Sequence, residues 1–330
     1  MHVGRRYTLM EFLYWTRRDI YLMTAIAAVP TILYQLLNWH WLALPWVPIA
    51  MVGTAAAFIV GFRNTQTYNR LWEARQIYGS IVNTSRSFGM MVNSFLPASD
   101  IETRKRFIYR HIAWLTALRF QLREERAWET IKSTAANIEY SRFFQIYEWH
   151  SKLEDELKPF LNEQELKDIL SKKNRATHII NLQSLELKNQ KAAGKIDPLD
   201  YVELENQLVQ LYEHQGKCER IKNFPYPRQF ATINQMFMRL FASLIPFGML
   251  NEFQKLGDHM VWLTIPFSVV VAWIFLAMEK VGENTENPFE GNANDVPITA
   301  LSRTIEIDLR EMLGETDLPP AKQAKNNILT

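Results

Sequence analysis

The chain has 330 residues, 48% hydrophobic and 22% charged, with a net charge of +2 and a pI near 8.5. That balance is too mild for a nucleic-acid binder. The single cysteine, Cys218, excludes an internal disulfide and any multi-cysteine metal site, and fits a cytoplasmic setting for most of the chain. A mean hydropathy of −0.18 conceals uncharged apolar runs before and after a highly charged middle.

Residues 1–19 are polar and basic (Arg5, Arg6, Arg17, Arg18). Within them Tyr7 to Trp15 is aromatic and amphipathic, a composition suited to the membrane interface. The apolar run begins too late, after Arg17, Arg18 and Asp19, for a cleavable leader. The first predicted span is Ile20 to Leu37, with Pro30 inside it; a bundle of neighbouring helices can tolerate that proline. Asn38 to Trp46 is tryptophan-rich and free of Lys and Arg, as expected of a turn at the outer interface. The second span returns from Val47 to Phe62, and Arg63, Arg70, Glu73 and Arg75 follow at once. Arginines before the first span and after the second place those ends in the cytoplasm.

This second apolar stretch has internal order. Thr54, Phe58 and Phe62 recur every four residues and share a helix face. Gly53, Ala55, Ala56, Ala57 and Gly61 are small residues that let helices approach closely in a bilayer. On pattern alone the phenylalanines are either lipid-facing or core residues. The helical pattern continues to Leu96, and Pro97 to Asp100 breaks it, with Asp100 as N-cap. Ile101 to Glu129 reads as an arginine-rich amphipathic helix, and residues 130–155 as its helical, aromatic continuation. Asn162 caps a helix reaching about Lys173, with Glu165 at the capping-box position. Ala176 to Lys191 forms the next, closed by Gly194, and Asp197-Pro198 opens another from Leu199 to Gly216. Pro225 and Pro227 end the soluble block.

Ile233 to Leu250 is a third span, carrying Arg239 and Pro246. A mid-span arginine is costly against lipid, so Arg239 must face protein or lie near the cytoplasmic edge. Met260 to Met278 is the clearest span, uncharged throughout. A polar loop then leads to a helix from about Ile298 to Leu313. The organisation is therefore an all-α membrane protein. An N-terminal segment with two spans (1–62) precedes a cytosolic helical block (63–229). Two further spans (230–280), a cytosolic loop and helix (281–313) and a disordered tail (314–330) follow. Both chain ends and the middle block are expected on the cytoplasmic side.

Enzyme chemistry finds no foothold. No GxGxxG, Walker A loop, HExxH or GxSxG occurs, and the seven histidines never pair at helical spacing. Glu124-Glu125 and the acids from Glu154 to Glu156 sit among basic residues and read as solvated faces. No cofactor, no metal and no catalytic residue is expected.

Two long segments, GFRNTQTYNRLWEARQIYGSIVNTSR from Gly61 and ENPFEGNANDVPITALSRTIE from Glu286, resemble the bestrophin family in its bacterial branch. So do the basic start WTRRDIY, the PYP after the soluble block, and the two-plus-two order of spans. The resemblance implies a homopentameric channel of the bacterial inner membrane, in contact with membrane lipids, passing monovalent ions along its fivefold axis. It implies that Thr54, Phe58 and Phe62 form the apolar neck, five copies of each making stacked rings able to gate by dewetting. Thr54 departs from the apolar pattern, so the outermost ring is expected to be wider or wetter. The family's cytosolic constriction maps near Lys195-Ile196-Asp197-Pro198, with Ile196 expected to point inward.

In animal members a calcium clasp follows NPF. Here, after Asn287-Pro288-Phe289, only Glu290 and Asp295 keep charge. Calcium prefers several carboxylate oxygens, so no tight site is expected, and Asp295 is expected to help cap the following helix. The family passes chloride in animals, while bacterial members can prefer cations; phenylalanine edges favour anions and faces favour cations. A chloride or anion channel is the first expectation and a sodium channel of the same build the second. A membrane-anchored scaffold or sensor is the reading from another class.

Overall fold

The computed structural model describes residues 1–330 and is all helix apart from isolated bridges near the chain ends. Four of its helices are long and apolar enough to cross a membrane. The first, α1 (Leu9–Leu37), starts at a capping box in which Thr8 and Glu11 satisfy each other's neighbouring amides. The interfacial aromatics and the first span are thus one continuous helix, with Pro30 inside it. At its far end Asn38 adopts a left-handed conformation, φ 56°, and turns the chain back.

The second helix, α2 (Trp46–Phe95), runs for 50 residues without a break, a length of about 75 Å at 1.5 Å per residue. That is more than twice the roughly 30 Å hydrocarbon thickness of a bilayer. Its apolar half packs on α9 and α10, and its polar half enters the helical block. The block comprises α3 (Ile101–Arg123), α4 (Ala135–Tyr140), α5 (Leu153–Leu157), α6 (Glu163–Ser171), α7 (Arg175–Ala192) and α8 (Pro198–Asn223). Asp100 and Asn162 accept from the amides of Thr103 and Glu165, at 3.2 and 2.9 Å, as N-caps do. Residues 130–155 are not a continuous helix. They fold as the short α4 and single 3₁₀ turns. The last helix of the block, α8, passes through Gly216 and ends only at Asn223.

The remaining helices are α9 (Arg228–Gln254), α10 (Thr264–Asn284) and α11 (Ile298–Met312). Two cores result. The larger joins the polar half of α2 to α3, α7, α8 and α11, with Tyr78, Phe88, Trp114, Leu118 and Leu309 buried. Inside it Trp114 Nε1 donates to Gln215 at 2.8 Å, and His111 Nε2 lies 2.9 Å from Ser85 Oγ. Burial holds the His111 imidazole down to about 3, so it stays neutral at physiological pH. The smaller core sits among the apolar helices, where Ile49, Ala56 and Val60 meet Met238, Phe241 and Ile245. Gly53 makes this approach possible, since a Cβ there would stand 2.5 Å from the Phe241 ring. Gly61 has open space instead, so only part of the small-residue stretch is used for packing.

Residues 314–330 do not form a free tail. Ile328 is 3% exposed and lies with Ile131, Phe144, Ile146 and Ala293. The amide of Val3 donates to Asn327 O at 2.8 Å, that of Leu329 to Met1 O at 2.9 Å, and that of Ala300 to Thr330 O at 2.9 Å. One apolar side chain in a prepared pocket and a short bridge outweigh a polar composition that by itself suggested disorder. Hydrogen exchange checks this: the amides of Val3, Ile328 and Leu329 should exchange far more slowly than an unstructured peptide, and random-coil rates there would refute the docking.

Candidate functional site

The apolar half of α2 has two unlike sides. Ala56 and Val60 are buried against α9, whereas Thr54, Phe58 and Phe62 all stand on the exposed side. Phe58 is 76% exposed and Phe62 47%. Thr54 Oγ1 donates to Ala50 O at 3.0 Å, which spends its hydroxyl on the helix and turns its methyl outward. Phe230, at the start of α9, lies 6.3 Å from the Phe62 ring, centroid to centroid. The three positions thus form a continuous, outward-facing strip about 12 Å long at 1.5 Å per residue.

Directly below the strip, α2 is locked in place. Arg63 is 4% exposed. Its Nη1 donates to Glu279 of α10 and its Nη2 to Glu286 of the next loop, both at 2.9 Å. Arg228, at the head of α9, donates to the other oxygen of Glu286 at 2.5 Å. Asn64 Nδ2 donates to Met278 O at 3.0 Å. Two cations and two anions close a neutral cluster where the apolar strip ends. Sequence reasoning did not single it out; its one signal was a basic residue immediately after sixteen apolar ones.

Ile196 is not available to a lumen. It is 4% exposed and part of the block's core. The reason is local. Lys195 pairs with Asp100 at 2.5 Å, Asp197 Oδ1 accepts from the Leu199 amide at 2.9 Å, and this geometry turns Ile196 inward to the core. The apolar side chain that it turns outward is Leu199, 77% exposed in the first turn of α8. Arg239 is also exposed on α9, so the chain's own interior does not shelter it.

Asn287, Glu290 and Asp295 do come together, in a loop closed on itself and buried. Glu290 accepts from the Thr130 amide at 2.9 Å and the Thr130 hydroxyl at 3.0 Å, and from Asn287 Nδ2 at 3.3 Å and Asn292 Nδ2. Asp295 Oδ2 accepts from the amides of Gly291 and Asn292 at 2.7 and 2.9 Å. It therefore ties the loop that precedes it and does not cap α11, whose start carries no side-chain cap. Gly291, at φ 106°, supplies the left-handed turn that aims both amides at one oxygen. Arg123, from α3, donates to Phe289 O at 3.0 Å and stands 3.9 Å from Asp295. Burial pushes the Asp295 carboxyl up to about 6, with Arg123 opposing, and raises Glu290 well above the carboxylate range, with the neighbouring Asp295 adding to it.

The family described as Bacterial/Fungal Bestrophin protein matches residues 15–311. A protein of Salmonella typhimurium named voltage-dependent anion channel-forming protein YneE is 27% identical over 272 residues, covering 82% of this chain and 78% of the relative. A voltage-dependent anion channel-forming protein of Ralstonia nicotianae is 26% identical over 298 residues, covering 88% of this chain and 86% of its own length. The crystal structure of a bacterial bestrophin homologue from Klebsiella pneumoniae superposes with a TM-score of 0.75 at 26% identity, covering 93% of this chain and 99% of that one.

Two predictions follow from the site. An acid whose pKa is raised on folding binds its proton more tightly folded than unfolded, so its contribution to stability falls as pH rises from its ordinary value near 3.8 to about 6. Asp295→Asn removes it and relaxes Glu290. The melting temperature of the variant relative to the parent should climb between pH 4 and 6 and then level; a pH-independent difference would show that the acid is not strained by burial. Separately, Ile196→Ala should cost about 2–5 kcal/mol of stability, as a core truncation does, while Leu199→Ala should leave melting unchanged.

Proposed function

This chain belongs to the bacterial and fungal bestrophin family, and from that premise we propose that it is a homopentameric anion channel of the bacterial inner membrane. The observation that carries the reading is the exposed strip of Thr54, Phe58 and Phe62, with the opposite side of α2 packed on its own chain. Large aromatic side chains held outward at four-residue spacing need a covering. Five copies around an axis supply one, forming stacked apolar rings that ions cross only by shedding water. The names of the relatives favour anions. Leu199, exposed at the head of α8, takes the place of Ile196 as the residue of the cytosolic constriction.

The remaining organisation follows. Residues 1–62 bring the first two spans and 230–280 the last two, with 63–229 and 281–313 on the cytoplasmic side. Arginines flank both ends of the first pair of spans, and the hydrogen bonds between residues 1–3 and 327–329 keep the two chain ends together on that same side. Arg239, exposed on a spanning helix, is costly against lipid. That cost is relieved when a neighbouring subunit or a wet lumen covers its face. Each residue of the strip then acts as a barrier, with no chemistry asked of it, which suits a channel and not an enzyme.

A planar-bilayer recording with chloride and sodium varied separately tests the proposal. The reversal potential should follow the chloride equilibrium; a shift to the sodium equilibrium would make the pore cation-selective. Replacing Phe58 and Phe62 with alanine should raise conductance several-fold. No current from either form would leave a membrane-anchored scaffold as the reading.

A further inference from the structure

Where α1 begins, the chain forms a cavity of about 140 Å³ that opens to the surface beside Glu11, far larger than the roughly 10–15 Å³ that one water needs. Its walls come from four separate segments: the first turns of α1, α4, the last turn of α10, and the loop that follows Glu290. Four aromatic rings line it, those of Tyr7, Phe12, Trp15 and Tyr140, together with one carboxylate, Glu11. No lysine or arginine is among the lining residues, so an anion has nothing to bind there. With a single acid, the lining also lacks the several carboxylate oxygens that a calcium ion takes.

Three of the lining asparagines keep an acceptor. Asn284 spends its Nδ2 on Lys280 O at 2.9 Å, Asn137 on Thr130 O at 3.4 Å, and Asn292 on Glu290. Each is left with a carbonyl oxygen unengaged. Glu11 gives one oxygen to the amide and hydroxyl of Thr8, at 2.7 and 2.8 Å, and keeps the other. The Tyr7 hydroxyl donates to Asn294 Oδ1 at 3.1 Å, which ties an aromatic wall to the loop. Trp15 already receives one cation: Lys280 Nζ lies 5.7 Å from its ring, with its charge balanced by Asp19 at 2.5 Å. Aromatic faces, amide oxygens and one solvent-reached carboxylate around a recess are the surroundings that an organic ammonium group seeks.

We propose that this cavity binds a small organic ammonium group of the ethanolamine or choline kind, held by the rings of Tyr7, Phe12, Trp15 and Tyr140 and by the carboxylate of Glu11. Two sources carry that chemistry, a phospholipid headgroup and a free amine. The surroundings accommodate the first. An adjoining open groove shares Tyr7 and Phe12 and adds Arg6, Thr8 and Leu9, which offers a guanidinium to a phosphate and an apolar side chain to an acyl tail. Because the cavity joins α1 and α10 to the buried loop at Asn292–Asn294, an occupant would hold that loop against two spanning helices. The site does not depend on conduction, so it stands or falls apart from the channel reading.

The test measures binding to the purified full-length protein. One arm titrates choline chloride and ethanolamine by ligand-observed NMR. The other compares vesicles of phosphatidylglycerol alone with vesicles that also contain phosphatidylethanolamine, counting lipids retained by native mass spectrometry. Glu11→Gln, which retains an acceptor for the Thr8 amide, should weaken the ammonium ligand about tenfold. Tyr140→Leu should weaken it and Tyr140→Phe should restore it, with all variants melting as the parent does. Binding in the vesicle arm alone identifies a headgroup, and binding in the solution arm identifies a free amine; either supports the site. Absence of binding in both arms, or binding indifferent to Glu11→Gln and Tyr140→Leu, overturns it.

Discussion

The rest of the structure depends on how Arg63 is buried. A helix that is apolar for sixteen residues and then presents a guanidinium must satisfy that charge at the membrane boundary, where water is scarce. Here Glu279 and Glu286 each take one nitrogen at 2.9 Å, and Arg228 neutralises the remaining carboxylate charge. The cluster connects α2, α9, α10 and the loop after α10. Removing Arg63, the buried centre of the set, leaves two carboxylates uncompensated, a loss of about 3–5 kcal/mol. It fixes the depth and rotation of α2, and with them the direction in which Phe58 and Phe62 point.

With its rotation fixed, α2 acts as a rod shared by two cores of different character. In the upper one, close contact is the means: Gly53 lies under the Phe241 ring and Ala56 is fully buried. Helices in a bilayer gain little from apolar burial and associate through such packing. In the lower core burial from water does more of the stabilising, and large side chains such as Trp114 and Phe88 fill it. Two of the large buried side chains there are hydrogen-bonded, Trp114 to Gln215 and Tyr78 to Ser302 at 2.9 Å. A continuous helix through both cores means that movement at one end is carried to the other without a hinge.

The loop from Asn287 to Val296 is closed by its own side chains. Its turn is retained by Gly291, and its acids converge as the spacing implies. Yet both oxygens of Glu290 are occupied by the backbone and hydroxyl of Thr130 and by two asparagine amides, and Asp295 holds the turn. Arg123 ties the loop to α3 through Phe289 O, and the loop in turn supplies Asn292–Asn294 to the cavity beside α1.

Sequence alone determined the spans, the caps at Asp100 and Asn162, and the shared face of Thr54, Phe58 and Phe62. Hydropathy and the 3.6-residue period are local properties, and they survive whatever the rest of the chain does. Tertiary structure decided the rest. Ile196 and Leu199 are both aliphatic and three residues apart, and only the pairing of Lys195 with Asp100 and the cap made by Asp197 send one to the core and the other outward. Residues 314–330 look disordered by composition, and a single pocket for Ile328 holds them. Arg63 is more than two hundred residues from both Glu279 and Glu286, so no local pattern could announce their meeting. Which side of a helix is covered, and which acid meets which base, is set by long-range packing that a periodicity cannot encode.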